Sequence, residues 1–187
     1  SDPSLNRVLV FQAPFSNGMS ASKVIGQSNF LNTETGTGGD RFNSPRGIAS
    51  DLANRLYVAD FGNDRVQIFD NLDVLPNNSA SAGLSLTESF ANNQNLQDPE
   101  GIVVDPNSGE IWVTEATRTR VLRYPEYSVL IFGGNRRPTF FVNSVTGLGN
   151  APLSVAVDSL GFPMVGETSS RISFYVPRVS TTNAATF

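Results

Sequence analysis

Carboxylates and arginines recur in this chain at fixed spacing: Asp60 lies five residues before Arg65, Glu115 five before Arg120, and Glu167 four before Arg171. Opposite charges this close read first as ion pairs clamping a tight turn, ahead of any acid–base chemistry. The chain contains no histidine and no cysteine. That removes the usual general base, proton shuttle and transition-metal ligand together, and with them disulfides and thiolate metal sites. A serine nucleophile would lack its imidazole partner. The chemistry left open is carboxylate and amide chemistry, such as a hard cation like Ca²⁺ held by Asp, Glu, Asn and carbonyl oxygens.

The elements that must position these residues repeat. Segments opening on arginine and alternating apolar residues follow Asn6, Asn63, Thr119 and Ser170, as NRVLVF, NDRVQIF, TRVLRY and SRISFY. Ahead of the last three come SPRGIASD, DPEGIVVD and APLSVAVD, then RLYVAD, EIWVTE and FPMVGE, always in that order. Asp51, Asp105 and Asp158 recur at spacings of 54 and 53 residues. A fixed period in this range means a solenoid, a propeller or an array.

Within each unit the apolar residues alternate or run over five to seven positions between Gly, Asn, Asp, Ser and Pro, a strand pattern with no helical periodicity. Asp51–Arg55 and Asp60–Asp64 are turns short enough to force antiparallel neighbours. A fainter fourth strand is expected at 22–27, 84–90 and 128–134. Four strands per unit make the blade of a β-propeller.

The stretch from Ser44 to Asp70, SPRGIASDLANRLYVADFGNDRVQIFD, resembles the NHL-repeat propellers, whose units run Pro-x-Gly-Ile-Ala-Val-Asp, Ile-Tyr-Val-Ala-Asp and Asn-x-Arg-Val-Gln-Val-Phe. The unit from Asp98 to Tyr124 keeps this framework with Thr119 where Asn is expected ahead of the arginine, and the unit from Ala151 to Tyr175 is the most worn. The stretch from Asn6 to Phe30 also resembles the linker between blades in bacterial NHL-type proteins. The resemblance implies an all-β fold, a propeller segment of about three and a half four-stranded blades. Residues 1–32 would end a preceding blade, 42–95 and 96–148 would be whole blades, and 149–187 an incomplete one. It specifies a fold and not an activity, because the family hosts binding scaffolds, receptor domains and a few enzymes.

Closed propellers have about 4–8 blades, so this count implies either a piece of a six- or seven-bladed ring or a chain that completes its ring by self-association. Open ends would expose strand edges and blade faces. No stretch is apolar enough to span a bilayer, and because the sequence opens on Ser1 rather than Met the absence of a signal peptide carries no information. One lysine, Lys23, among thirteen basic residues, with abundant Asn and Ser, resembles exported bacterial repeat proteins and suggests an extracellular or periplasmic setting. A net charge of −4 and a pI near 4.8 argue against general nucleic-acid binding, which rewards clustered Lys and Arg.

Residues that recur in every unit solve a problem every unit has. Asp51, Asp105 and Asp158 read as caps on turn amides, Arg7, Arg65, Arg120 and Arg171 as stems lying along the adjoining blade, and Gly47 and Gly101 as close approaches of backbone near the axis. Trp112, where the sister units have Tyr57 and Met164, reads as blade-core packing before a ligand-stacking face. The glycine-rich loop Thr33–Asn43 lacks the Gly-Lys-Ser/Thr of a phosphate loop, and it and Asn71–Gly83 read as flexible connections.

Positions that differ between units are free for recognition. Arg46, Glu100 and Leu153 follow each proline, and Phe61, Arg118 and Ser169 lie in the turn after each second strand. These six form the expected binding rim. The function expected is a noncatalytic scaffold for a protein or small ligand at that rim, with no catalytic residues and no resident metal. The competing reading is a Ca²⁺-dependent, lactonase-like hydrolase with its remaining blades outside this chain, to which Glu100 would contribute a single carboxylate. A third places function in closure of the ring itself.

Overall fold

A computed structural model describes residues 1–89, 94–143 and 147–175. Its strands form four antiparallel sheets in which hydrogen-bonded neighbours are consecutive in sequence. β1 (Val8–Val10) pairs with β2 (Lys23–Ile25). The first four-stranded sheet is β3 (Pro45–Ser50), β4 (Arg55–Asp60), β5 (Arg65–Asn71) and β6 (Leu84–Leu86). The second is β7 (Pro99–Val104), β8 (Ile111–Glu115), β9 (Arg120–Tyr124) and β10 (Phe140–Asn143), and the last is β11 (Pro152–Val157), β12 (Pro163–Glu167) and β13 (Arg171–Phe174). Short turns join β3 to β4, β4 to β5, β7 to β8, β8 to β9, β11 to β12 and β12 to β13, longer segments make the other connections, and every sheet is a meander.

The alternation of side chains along each strand then decides the packing. Leu56 pairs across to Phe69 and, with Val58, faces back onto Val8, Ile25 and Phe42. Tyr57 pairs with Ile68 and faces forward onto Ile102, Val104, Ile111 and Val113 of the next sheet. The second sheet repeats the step, with Trp112 and Val121 forward against Val155 and Val165 of the third. The two four-stranded sheets are thus packed on both faces, and successive sheets stack with β3, β7 and β11 side by side. This is a partial β-propeller.

The inner strands approach to backbone contact. A Cβ on Gly47 would lie 2.5 Å from the Glu100 carbonyl oxygen, and one on Gly101 2.8 Å from that of Leu153. Both glycines occupy the close approaches expected of them, and Trp112, 1% exposed, is core.

Three expectations are corrected. The apolar run 128–134 is not a strand: Tyr127–Phe132 forms a short helix, α1, that begins just after Pro125, ends at Gly133 and buries Leu130. The fourth strand is instead β10, past Pro138, where Phe140 packs edge-on against Trp112. A short apolar run carries no period that separates helix from buried strand. The loops 33–43 and 71–83 are not loose connections either. Gly36, Thr37, Gly38 and Arg41 offer carbonyls to Asn63, Arg65 and Gln67, and the Asn77 carbonyl accepts from Val24 N–H at 2.8 Å, tying β2 to the first sheet. Finally, the arginines opening β5, β9 and β13 turn to the segment leading into their own sheet, not along a neighbouring one, and Arg7, before β1, turns to Asp2 and to the Phe30 carbonyl past β2. The fourth strand of the first sheet spans Leu84–Leu86 within the expected 84–90, whose last residue lies outside the described residues, as does the tail after Tyr175. Among the described residues no helix is long and apolar enough to cross a membrane.

Candidate functional site: the propeller rim and its clamps

The three sheets that begin with β3, β7 and β11 close their second turn with the same charged device. Arg65 Nε donates to Asp60 Oδ2 at 2.8 Å, Arg120 to Glu115, and Arg171 Nε to Glu167 Oε1 at 3.0 Å. The three acid side chains are fully buried. Their remaining lone pairs take backbone amides from the segment entering the same sheet, two or three residues before its proline. Asn43 N–H donates to Asp60 (2.7 Å), Gln97 N–H to Glu115 (2.8 Å), and Gly149 and Asn150 N–H to Glu167 (2.8 Å each). The arginines complete the clamp on carbonyls or hydroxyls of that segment: Arg65 on Thr37, Gly38 and Arg41, Arg120 on Ser89, Arg171 on Gly147. Before β1, Arg7 holds the Phe30 carbonyl and the carboxylate of Asp2.

Desolvation pushes the Asp60 carboxyl above its ordinary pKa despite these donors. At Glu167 desolvation acts the same way but loses: the Ser173 hydroxyl, Arg171 and the Asn150 and Gly149 amides hold its pKa down to about 2.

The residue before each clamp arginine is left-handed: Asn6 (φ 52°), Asp64 (φ 54°), Thr119 (φ 49°) and Ser170 (φ 58°). Two of them reach the next sheet. Ser44 N–H donates to Asn6 Oδ1 (2.8 Å) and Asp98 N–H to Asp64 Oδ1 (2.9 Å), in each case the residue just before the next proline. These bonds lace neighbouring sheets together at the rim.

On this scaffold the structure brings together three of the six expected rim residues. Arg46, on β3 just after Pro45, lays its guanidinium 3.4 Å from the centre of the Phe61 ring and forms an ion pair with Glu100, its counterpart after Pro99 on β7. Phe61 is placed by the one-turn 3₁₀ segment Phe61–Asn63 that follows Asp60. The pair therefore spans two sheets, with the Arg46 side chain 38% and the Glu100 side chain 12% exposed. Burial pushes the Glu100 carboxyl upward, against the pull of Arg46. Arg118 goes elsewhere: it turns inward to Glu115 Oε1 (2.8 Å) and the Asn95 carbonyl, reinforcing the second clamp. Leu153 is 45% exposed on β11, and Ser169 is exposed in the turn before β13.

Asp51, Asp105 and Asp158 cap their turns as expected. Asp51 accepts from Ala53 and Arg55 N–H, Asp105 from Asn107 N–H, and Asp158 from Leu160 and Phe162 N–H, all at 2.8–3.0 Å. Sequence reasoning missed the parts played by Ser89, the carbonyls of the 33–43 loop and Asp2. The available signal was position: in every unit the residue two before the proline faces the buried acid. Among the described residues no group of three or more His, Cys, Asp or Glu is arranged to hold a metal ion.

Stacked meanders, two of four strands and one of three, with a clamp repeated in each define a β-propeller segment. The chain carries an NHL repeat: the profile of the NHL repeat family matches residues 42–69. Human NHL repeat-containing protein 3 is 49% identical over 41 residues, 22% of this chain, and the mouse protein of the same name 46% identical over the same length. The matched stretch spans 12% of the length of either relative. Among solved structures, Kuenenia stuttgartiensis hydrazine synthase superposes with a TM-score of 0.50 at 11% identity, covering 74% of this chain and 32% of that one, a likeness of fold alone. A streptogramin B lyase structure gives a TM-score of 0.46 at 15% identity, over 71% of this chain and 40% of the other.

Proposed function

We propose that this propeller segment is a noncatalytic scaffold that presents a rim patch of Arg46, Phe61 and Glu100, flanked by Leu153, to a protein or small ligand. The observation that carries the reading is the Arg46 guanidinium stacked on Phe61 and anchored by Glu100 of the next sheet. Stacking fixes the arginine in one pose, so little side-chain entropy remains to be lost on binding, and partly exposed arginines and aromatics are the residue types that dominate interface energetics. The recurring carboxylates spend their lone pairs on the fold, which supports a scaffold over a reaction centre.

The hydrolase reading would need Glu100 to release Arg46 and accept a calcium ion. One pair of experiments separates the two. For a partner that binds the chain, Arg46→Ala and Phe61→Ala each weaken binding about tenfold or more, the scale of a hot-spot truncation, while Arg137→Ala does not. Calcium leaves the melting midpoint unchanged. Undiminished binding by both rim variants, or a calcium-dependent rise in midpoint, overturns the proposal.

A further inference from the structure

We propose that the pocket between the turns that follow β3 and β7 binds a small carboxylate bearing an aliphatic group, held at Arg55. The pocket measures about 340 Å³, and Leu52, Ala53, Arg55, Val104 and Pro106 line it among others. It lies between two four-stranded sheets that both belong to this chain. It is also distinct from the rim patch, because Arg46 stands near the start of β3 and the pocket opens past its end at Ser50.

Three features that occur once in the chain meet there. Arg55 stands where the sister units have Glu110 and Phe162. Ala53 stands where the second sheet has Asn107, since each gives its N–H to the capping aspartate of its turn. Asn107 goes on to donate Nδ2 to the Ser159 carbonyl at 3.0 Å and ties its turn to that of the third sheet. Alanine has no such group, and among the described residues no hydrogen bond joins the turn 51–55 to the turn 105–109. The groove between the first two sheets therefore stays open. The third feature is α1, which sets the Tyr127 ring against Arg55, with its centre 4.1 Å from the guanidinium carbon.

Arg55 is held in place without being used up. Its Nε donates to Asp51 Oδ2 at 2.8 Å, while among the described residues Nη1 and Nη2 make no hydrogen bond. Asp51 is satisfied within its own turn by the N–H groups of Ala53 and Arg55 and by the Tyr57 hydroxyl. Asp105 turns Oδ2 to the Ser108 hydroxyl, beside Gly161 of the third sheet. A guanidinium fixed at one edge and free at the other is preorganised to take a carboxylate through two parallel bonds, and its side chain, 27% exposed, can be reached from solvent. Leu52, Ala53, Val104 and Pro106 then supply the apolar walls that receive an aliphatic group.

This chemistry belongs equally to a free branched acid and to the C-terminal residue of a peptide, and two probes separate the sources: 4-methylpentanoate and N-acetylleucine. Each is titrated into the 187-residue chain to about 10 mM, enough to saturate a site of millimolar affinity. Saturable shifts of the Ala53 and Gly109 amide resonances are expected with at least one probe, the tighter binder naming the source. The matching primary amide, 4-methylpentanamide or N-acetylleucinamide, binds about tenfold more weakly. Arg55→Lys keeps the charge but loses the fork and weakens binding about tenfold. Ala53→Asn, which restores the group that closes the next groove, weakens it with Arg55 intact. No saturable shift at either amide in the unmutated chain, equal binding of acid and amide, or shifts confined to the rim around Arg46 and Phe61 overturns the proposal whether or not the variants fold.

Discussion

Arg65 Nε donates to Asp60 Oδ2 at 2.8 Å, with the aspartate side chain fully buried and the arginine only one-tenth exposed. The contact joins the end of β4 to the start of β5, but its larger consequence lies outside that turn. Through Asn43 N–H on one side and the carbonyls of Thr37, Gly38 and Arg41 on the other, it fastens the loop that leads into β3. The rim is ordered by charges buried beneath it.

Arg65→Ala therefore strands a buried carboxylate and frees several carbonyls at once. Removing one partner of a buried ion pair costs about 3–5 kcal/mol, a fall of roughly 10 °C in melting midpoint for a chain of this size. Arg137→Ala breaks an ion pair with Glu88 in which both side chains are nearly half exposed, worth at most about 1 kcal/mol. Comparable midpoints for the two variants would contradict the clamp.

Thr119→Asn is expected to stabilise. A β-branched residue is held at φ 49°, a left-handed conformation that costs about 1–2 kcal/mol for L-residues and is least unfavourable for Gly, Asn and Asp. Thr119 also lacks the bridge its equivalents make: Asn6 and Asp64 accept the amide of the residue before the next proline, and that residue after Thr119 is Ala151. An asparagine both relieves the backbone and can receive the Ala151 N–H. Denaturant unfolding should show a gain of about 1 kcal/mol, and a loss of stability would show that the threonine is not the misfit residue.

Thr119 also shows how far the sequence could be read. Its departure from the repeat was visible in one dimension, and so were the acid–arginine pairs, the Asx caps and the inner glycines, because repetition exposes whatever every sheet needs. What repetition cannot expose is a feature that occurs once. α1 fills the gap between β9 and β10 with an apolar run that reads equally well as a strand, and Arg118 stands at a rim position yet turns inward because Glu115 lies beneath it. The Arg46–Phe61–Glu100 cluster joins residues from two units, and only the packing of β3 against β7 makes them neighbours.

Acid should open the third sheet first. The Glu167 pKa is held down to about 2 in the folded chain, below its ordinary value near 4.5. The group stabilises the fold above the unfolded pKa, and this contribution is lost as pH falls from about 4.5 towards 2. Asp60 has the opposite sign, because burial raises its folded pKa and protonation then favours the folded form. Amide exchange at Gly149 and Asn150, which donate to Glu167, should accelerate across this window, and Glu167→Gln should flatten the dependence. An unchanged profile in that variant would locate the acid sensitivity elsewhere.

The last expectation concerns why one inner strand departs from the glycine of its sisters. Gly47 and Gly101 each face the backbone of the next inner strand, at 2.5 Å from the Glu100 oxygen and 2.8 Å from the Leu153 oxygen for an added Cβ. Ser154 holds the same place on β11, is exposed, and has no further inner strand beyond it among the described residues. The requirement for glycine thus belongs to the contact and not to the strand. Gly47→Ser and Gly101→Ser must push two backbones apart and should each destabilise by about 1–3 kcal/mol, whereas Ser154→Gly should change stability by about 0.5 kcal/mol or less. Equal costs at all three positions, read from denaturant midpoints, would mean that the glycines serve their own strands rather than the stacking of one sheet on the next.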